Sequence, residues 1–266
     1  MIISSLSRFW HSGKIIWIFH SHEYDIPLKS KVSYLFFSHL PWVKKILFVN
    51  KELKQFFTKR FQFPKGKTDI VYNSSNFQQI NKESDTEIKW INIGFVGRLI
   101  ELKRVHYLVE LAAYLKNQNI HHYHIHVIGD GPERNDIEKK ARDLQVVDKI
   151  TFYGFQAQTE QYYELFHLFI NPSREECLSI ALIDAGMKGV PAIAFDVGGN
   201  DEIIKHNKTG FIVNQKQQLF EYAEKLIRYP QLLNDMGYQA GLHCTEYFSK
   251  EAHWQKLTQI IDEIAQ

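Results

Sequence analysis

One stretch of the chain, residues 171–202, constrains the fold more than any other. It reads NPSREECLSIALIDAGMKGVPAIAFDVGGNDE and follows directly on an apolar run. The patterns come in the order strand, loop, helix, strand and loop. Its polar residues follow the strands, and ligands of an open α/β sheet bind at the carboxyl ends of strands. The sequence therefore predicts a ligand site centred on Glu176 and Asp184, which are eight residues apart.

Strand and helix patterns alternate along most of the remaining chain. Three short strands and two helices are predicted within residues 1–75, and six strands between residue 88 and about residue 230. Such alternation favours mostly parallel, doubly wound sheets. We therefore expect an α/β protein with one complete Rossmann-like domain and a truncated Rossmann-like half-domain. A three-stranded half-domain exposes an edge and an apolar face, so it either leans on the second domain or is the remnant of a longer one.

The domain boundaries follow from the same patterns. Residues 1–78 are predicted to form the partial N-terminal domain, and the polar, aperiodic residues 79–90 a linker. Residues 91–240 are predicted to form the complete Rossmann-like domain. A C-terminal helix within 241–266 is expected to pack back on the N-terminal part.

Composition is that of an ordinary globular protein, with 44% apolar and 23% charged residues. Two cysteines are too few for a disulfide framework and fit a reducing compartment. The apolar run Ile15 to Phe19 is far shorter than the roughly 20 residues that span a bilayer. We expect a cytoplasmic protein that can touch the inner face of a membrane.

Positive charge is concentrated between Lys29 and Lys67. Ten Lys and Arg residues and one acid, Glu52, give this segment a net charge of +9, against +2 for the whole chain. Phenylalanine and tryptophan residues lie among the cations: Phe36, Phe37, Trp42, Phe48, Phe56, Phe57, Phe61 and Phe63. Either they form a face that docks on anionic lipid, or the aromatics are core residues beneath solvated lysines. No readout motif supports nucleic-acid binding.

The predicted helix start near Leu178 is suited to an anion. Its first backbone N–H groups are unpaired and, with the helix dipole, attract phosphate. Glu176 and Asp184 would lie roughly 10 Å apart along the helix, about the length of a diphosphate with one ring at each end. The alternative is an ordinary exposed helix start at which acids are favoured by the dipole.

Basic and glycine residues follow other strands. Arg98 and Lys103 come after a strand that ends in Gly97, and two cations there could neutralise a diphosphate; the alternative is a solvated basic loop. Gly131, Gly154 and Glu202 are predicted to line the same site, although plain turns explain them equally well. Alternating histidines at 121–126 carry no acidic or cysteine partner in sequence, which favours a half-exposed strand over a metal site.

As a set, these motifs resemble those of the retaining glycosyltransferases of family 4, which have the GT-B fold. The resemblance runs from about Ile91 to Val213. It is carried by GRLIELK at 97–103, GDGPE at 129–133, ITFYG at 150–154 and LFINPSREECLSIALIDAGMKGVPAIAFDVGGNDEII at 168–204. The signature of that family, two glutamates separated by seven residues, stands here as Glu176 and Asp184.

This resemblance implies roles for several residues. Glu176, Leu178 and Ser179 would contact the donor sugar, and Asp184 the ribose. Arg98 and Lys103 would bind the donor diphosphate. The strand-end histidine of the N-terminal domain corresponds best to His20, which would contact the donor sugar. Glu176, Arg98, Lys103 and His20 are the predicted catalytic residues.

Three departures from the family pattern stand out. Asp184 is one methylene shorter than glutamate, a loss of about 1.5 Å of reach. Arg104 stands where glycine is common. The glycine-rich loop that follows the first strand of the family's N-terminal domain has no counterpart, so the chain is expected to start in the middle of that domain.

The resemblance implies a retaining glycosyltransferase of bacterial surface polysaccharide synthesis. It would use a nucleotide sugar, a glycan or lipid-linked acceptor, no metal and no other cofactor. The alternative is a non-catalytic or truncated nucleotide-sugar-binding subunit that needs a separate polypeptide for the acceptor half.

Overall fold

The computed structural model describes residues 6–11, 14–19, 39–79 and 88–265. Within them the chain forms two sheets with helices packed on them. The predicted helix from Pro27 to about His39 and the predicted site residue His20 lie outside these residues, apart from the last residue of the helix.

The smaller sheet is built from the N-terminal part of the chain. Its strands, in the order β1-β2-β3-β4, are β1 (Leu6–His11), β2 (Lys14–Phe19), β3 (Val43–Phe48) and β4 (Thr68–Ile70). The last three are parallel, as predicted, whereas β1 is antiparallel to β2 and was not predicted. Such an edge strand pairs on one side only, and the segment LSRFWH lacks the continuous apolar run of a central parallel strand.

Helix α1 (Lys51–Phe61) connects β3 to β4 through a 3-10 turn at Lys65–Lys67. It begins at Asn50, whose Oδ1 accepts a hydrogen bond from the Leu53 N–H at 2.7 Å. This is the N-cap arrangement that satisfies an otherwise unpaired helical N–H group.

The larger sheet contains six parallel strands, as the alternation predicted. They are β5 (Ile91–Val96), β6 (Tyr123–Ile128), β7 (Ile150–Gly154), β8 (Leu168–Asn171), β9 (Ala192–Phe195) and β10 (Gly210–Val213). Their order is β7-β6-β5-β8-β9-β10, which is the 3-2-1-4-5-6 order of the Rossmann fold. The strand order reverses between β5 and β8, so the ligand crevice is expected at their carboxyl ends.

Helices cover both faces of this sheet and continue to the C-terminus. They are α2 (His106–Asn117), α3 (Arg134–Asp143), α4 (Glu160–Leu165), α5 (Ile180–Met187), α6 (Asn200–Ile203), α7 (Lys216–Arg228), α8 (Pro230–Phe248) and α9 (Lys250–Ala265). The short α6 was not predicted.

The sequence predicts a helical segment near residues 231–241, but α8 is longer and continues to Phe248. Gly237 and Gly241 do not end this helix. A Cβ at Gly237 would overlap the Gly189 carbonyl oxygen, and one at Gly241 would lie 3.8 Å from the Gly189 Cα. Gly237 therefore allows α8 to approach the segment that follows α5, whereas a Cβ at Gly241 would make only ordinary van der Waals contacts.

Helix α9 crosses back onto the smaller sheet. Its Ile260 is buried against Leu47 and Val71. Near its C-terminal end, Glu263 lies 3.0 Å from Lys45 Nζ, and in its middle Lys256 Nζ lies 3.2 Å from Asp69. The C-terminal helix therefore links the smaller sheet to the helices of the larger domain.

Most of the described aromatic residues of the basic segment are core residues. Phe48, Phe57, Phe61 and Phe63 are at most 3% exposed and pack together, whereas Trp42 is 47% exposed. Among these residues the structure favours buried aromatics beneath solvated lysines. Along the described ranges, no helix combines the length and apolar character required to cross a bilayer.

Candidate functional site

Two loops meet where the order of the larger sheet reverses. The loop after β5 begins at Gly97 and contains a 3-10 turn, Glu101–Lys103, and the loop after β8 covers residues 172–179. The Arg174 N–H donates to the Leu102 carbonyl at 2.8 Å, which ties the two loops together. Their side chains therefore share one crevice.

The central contact of this crevice is an ion pair between Lys103 and Glu176. Lys103 Nζ lies 2.6 Å from Glu176 Oε1, and the two side chains are 22% and 11% exposed. The structure thus brings together two of the predicted catalytic residues, which are 73 positions apart in sequence. Arg98 follows the same strand as Lys103 and is exposed.

Asn171, the last residue of β8, organises the site and was not predicted to do so. Its Nδ2 donates to Glu176 Oε1 and to Ser179 Oγ, both at 3.0 Å. Its Oδ1 accepts from the Ser173 N–H at 3.1 Å and from the Ser173 hydroxyl at 2.5 Å. The available sequence signal was an asparagine directly after the apolar run of β8. Asn171 fixes the orientation of the Glu176 carboxylate.

The helix start predicted near Leu178 lies two residues later, at Ile180. Ser179 is the N-cap residue, but its hydroxyl accepts from Asn171 and makes no cap hydrogen bond. Leu178 is 5% exposed and belongs to the apolar core. The dipole of α5 thus favours negative charge close to the Lys103–Glu176 pair.

The glycine turn after β9 packs against the same loop. Gly198 has φ +57°, and a Cβ there would overlap the Glu176 carbonyl oxygen. The Gly199 N–H donates to the Cys177 carbonyl at 2.7 Å. This close approach of two backbones is possible only because the residue at 198 has no side chain.

Asn50 brings the smaller sheet to this loop. Its Nδ2 donates to the Cys177 carbonyl at 2.5 Å, and Asn50 itself is fully buried. One side chain therefore caps α1 and contacts the residue next to Glu176.

Asp184 lies further along α5, against the segment of residues 71–79 that follows β4. The Ser75 hydroxyl donates to its Oδ1 at 2.5 Å, and the Phe77 N–H donates to Ser75 Oγ at 2.9 Å. Burial, with a smaller contribution from the charge of Glu160, raises the pKa of Asp184 to about 6, although the Ser75 hydrogen bond and Lys188 oppose the shift. The sequence did not predict this serine, which anchors the shorter acid.

Asp184 also lines a cleft of about 790 Å³ that is bounded by residues 74–77, the start of α4 and α5. Lys188, only 2% exposed, pairs nearby with Glu160 at 2.5 Å and Glu164 at 3.4 Å. The cleft provides carboxylate acceptors for hydroxyl groups of a ligand.

The predicted glycines at the strand ends pack the backbone at the edge of the sheet. The Gly97 N–H donates to the Ile128 carbonyl at 3.0 Å, and the Gly129 N–H to the Gly154 carbonyl at 2.8 Å. Gly154 has φ +71°. The Gly131 N–H is held by Asp130 Oδ1 at 2.7 Å. Gly131 and Gly154 therefore shape the edge of the sheet beside the crevice.

Glu202 lies at the junction of the two sheets. Its Oε1 accepts from the Lys51 N–H at 2.6 Å, and its Oε2 accepts from the Tyr72 hydroxyl at 2.6 Å. Glu202 is 4% exposed, and burial together with its carboxylate raises the pKa of Tyr72. Glu202 therefore connects α6 to the start of α1 and to Tyr72, which follows β4.

Arg104, which stands at a family glycine, adopts a conformation that suits glycine. Its φ is +47°, and its guanidinium lies over the rings of Tyr107 and Phe195 at 5.7 Å and 5.4 Å. These cation–π contacts offset the strain of the left-handed backbone.

The histidines of β6 bond within the sheet. His126 contacts the Tyr153 hydroxyl at 2.9 Å and Asn92 Oδ1 at 3.1 Å, and burial lowers its pKa to about 4. His124 contacts Thr151 Oγ1 at 2.8 Å. Over the described ranges, no group of three or more His, Cys, Asp or Glu side chains is placed to hold a metal ion.

The candidate site thus combines the Lys103–Glu176 ion pair, the start of α5 and the carboxylate of Asp184. Comparison with known proteins gives the chain a family. The model of the glycosyl transferases group 1 family matches residues 75–243. The chain belongs to this family. Its fold is the GT-B fold of glycosyltransferases.

Two relatives match this chain over less than half of their own length. The Vi polysaccharide biosynthesis protein VipC/TviE of Salmonella typhi is 32% identical over 157 residues, which cover 57% of this chain and 26% of the relative. The poly(ribitol-phosphate) alpha-N-acetylglucosaminyltransferase of Staphylococcus aureus is 26% identical over 195 residues, which cover 70% and 38%. The chain thus spans less than half the length of these two relatives.

A solved structure shows the same fold. The Anabaena protein Alr3699/HepE in complex with UDP superimposes with a TM-score of 0.80 at 16% identity, covering 93% of this chain and 72% of that chain. At this identity the likeness concerns the fold alone.

Proposed function

We propose that the protein binds a nucleoside-diphosphate sugar and transfers its sugar, with retention of anomeric configuration, to a glycan or lipid-linked acceptor. The observation that carries the proposal is the Lys103–Glu176 pair at the switch point of the larger sheet, beside the start of α5. A cation and a helix N-terminus provide the positive potential that a leaving diphosphate requires. The Salmonella relative is named for Vi polysaccharide biosynthesis and the Staphylococcus relative for transfer to poly(ribitol-phosphate), and these names support a glycan acceptor.

Each residue then has a defined task. Lys103 and Arg98 stabilise charge on the departing diphosphate, while Glu176, held by Asn171, receives hydroxyl groups of the donor sugar. Asp184 accepts hydrogen bonds from the ribose hydroxyls, and the hydrogen bond from Ser75 fixes the orientation of its carboxylate. No side chain acts as a nucleophile, and the leaving phosphate takes the proton of the acceptor hydroxyl on the same face. No metal is needed in this scheme.

The test is calorimetry with a panel of nucleotide sugars, followed by transfer of a radiolabelled sugar to glycan and lipid-linked acceptors. We expect binding of one nucleotide sugar, and transfer with a retained anomeric centre by NMR. Binding without transfer to any acceptor, alone or with added cell extract, would instead support the nucleotide-sugar-binding subunit. Binding of none would refute the proposal.

Donor binding is expected to weaken in mild acid. Because the pKa of Asp184 is raised to about 6, its carboxylate is charged above that pH and mostly protonated below it. At about pH 5 only roughly a tenth remains ionised, so the Kd for UDP-glucose should be about tenfold higher than at about pH 7.5. Calorimetry at both pH values checks this. UDP-glucose is a suitable probe because its diphosphate does not titrate in this range.

The control is Asp184→Asn, which keeps the shape and removes the titration. Its affinity should be low and independent of pH over the same range. An equally steep pH dependence in Asp184→Asn would assign the effect to another group.

A further inference from the structure

A cationic groove runs along the outer side of α1, away from the crevice described above. It encloses about 500 Å³ and is lined by Lys51, Lys54, Gln55, Thr58, Lys59 and Ile70. Half of this lining is lysine, and no acid belongs to it. The groove therefore has a strongly positive potential on a concave surface.

The charges of the groove are only partly compensated within the described part of the chain. Lys51 Nζ lies 3.8 Å from Glu202, whereas neither Lys54 nor Lys59 forms an ion pair there. Asp69, next to the groove, pairs with Lys256. Lys205 adds a further cation at the Lys51 end: burial and the charge of Lys51 lower the pKa of Lys205.

The Lys51 end of the groove is the end nearer in sequence to a contact with the donor crevice. Lys51 is the first residue of α1 and follows Asn50, whose side chain contacts the Cys177 carbonyl beside Glu176. From Lys51 to Lys59 the helix rises about 12 Å at 1.5 Å per residue. The lysines are thus spread along a path that leads away from the crevice, instead of converging on one point as in a site for a single small anion.

We propose that this groove binds a polyanionic glycan, a chain that bears phosphodiester or carboxylate groups, and guides it to the crevice as the acceptor. This inference rests on the proposed function. A membrane surface fits less well, because the groove is concave and Ile70 is its single apolar lining residue. A nucleic acid fits less well, because the lining has no aromatic side chain on which bases could stack.

The test measures binding of a fluorescent glycerol-phosphate oligomer to the full chain without donor. In Lys54→Gln/Lys59→Gln the Kd should rise at least tenfold, and the slope of log Kd against log salt should fall by roughly 1.4 for two lost contacts. The matched control is Lys139→Gln/Arg142→Gln, which removes two exposed cations from α3 and should bind like the wild type. A neutral dextran oligomer of equal length should not bind any of these proteins.

Several results would overturn the proposal. One is an unchanged Kd in the α1 variant, and another is an equal loss in the α3 control. A third is that Lys54→Gln/Lys59→Gln weakens binding to duplex DNA, or to vesicles of equal parts phosphatidylglycerol and phosphatidylcholine, more than it weakens binding to the oligomer. The groove would then serve nucleic acid or lipid. UDP-glucose affinity, which should be the same in all variants, separates the two proposals. If no protein binds a nucleotide sugar but the oligomer still requires Lys54 and Lys59, the proposed function fails while the polyanion site stands.

Discussion

Replacing Lys103 by alanine is expected to lower kcat/KM for sugar transfer by about a hundredfold to a thousandfold. Lys103 Nζ is the cation closest to Glu176, at 2.6 Å, and lies beside the start of α5, where the diphosphate of the donor would gain charge as the sugar leaves. Removing one preorganised donor from such a site has effects of this size. The measurement is steady-state transfer of radiolabelled sugar from the nucleotide sugar identified by calorimetry.

Two further variants define the role of Lys103. Lys103→Arg retains the charge and should recover part of the rate, whereas Lys139→Ala, an exposed lysine on α3, should transfer at the wild-type rate. Arg98→Ala and Glu176→Ala should also lose activity. Near-normal rates in Lys103→Ala, Arg98→Ala and Glu176→Ala together would show that this mechanism is wrong.

Replacing Gly198 by alanine is expected to destabilise the protein by about 2 to 4 kcal/mol and to abolish donor binding. Gly198 has φ +57°, and the added Cβ would overlap the Glu176 carbonyl oxygen. Relief of this overlap requires the turn after β9 to move away from the loop that carries Glu176. Chemical denaturation and calorimetry with the nucleotide sugar measure the two effects.

Gly66→Ala is the matched control, because a Cβ at Gly66 meets no atom within 4 Å. Its stability should remain close to that of the wild type, and its donor affinity should be unchanged. If Gly198→Ala were as stable as Gly66→Ala and bound donor equally well, the close approach of the two loops would not be needed for the site.

Local patterns predicted the larger sheet closely. The bounds of β5, β6 and β9 were predicted to the residue, because each is a short apolar run that ends at a polar or glycine residue. The edge strand β1 was missed. The end of α8 was also missed, since the helix continues past Gly241 to Phe248.

The partners of the site residues could not be predicted in the same way. The sequence placed Asp184 near the ribose of a donor, but nothing local indicated that Ser75 would hold it. The same is true of Glu202, which is predicted at the donor site: nothing local indicated that it would accept hydrogen bonds from the Lys51 N–H and the Tyr72 hydroxyl.

The sequence by itself determined the alternation of strands and helices and placed Glu176, Lys103 and Arg98 at strand ends. Those properties depend on neighbours within a few residues of each other. Only the tertiary structure decided which strand ends meet. Lys103 pairs with Glu176 over 73 residues because β5 and β8 are neighbours in the parallel sheet. Ser75 pairs with Asp184 over 109 residues because residues 71–79 pack on α5. Contacts of this kind follow from sheet order and packing, to which no local periodicity is sensitive.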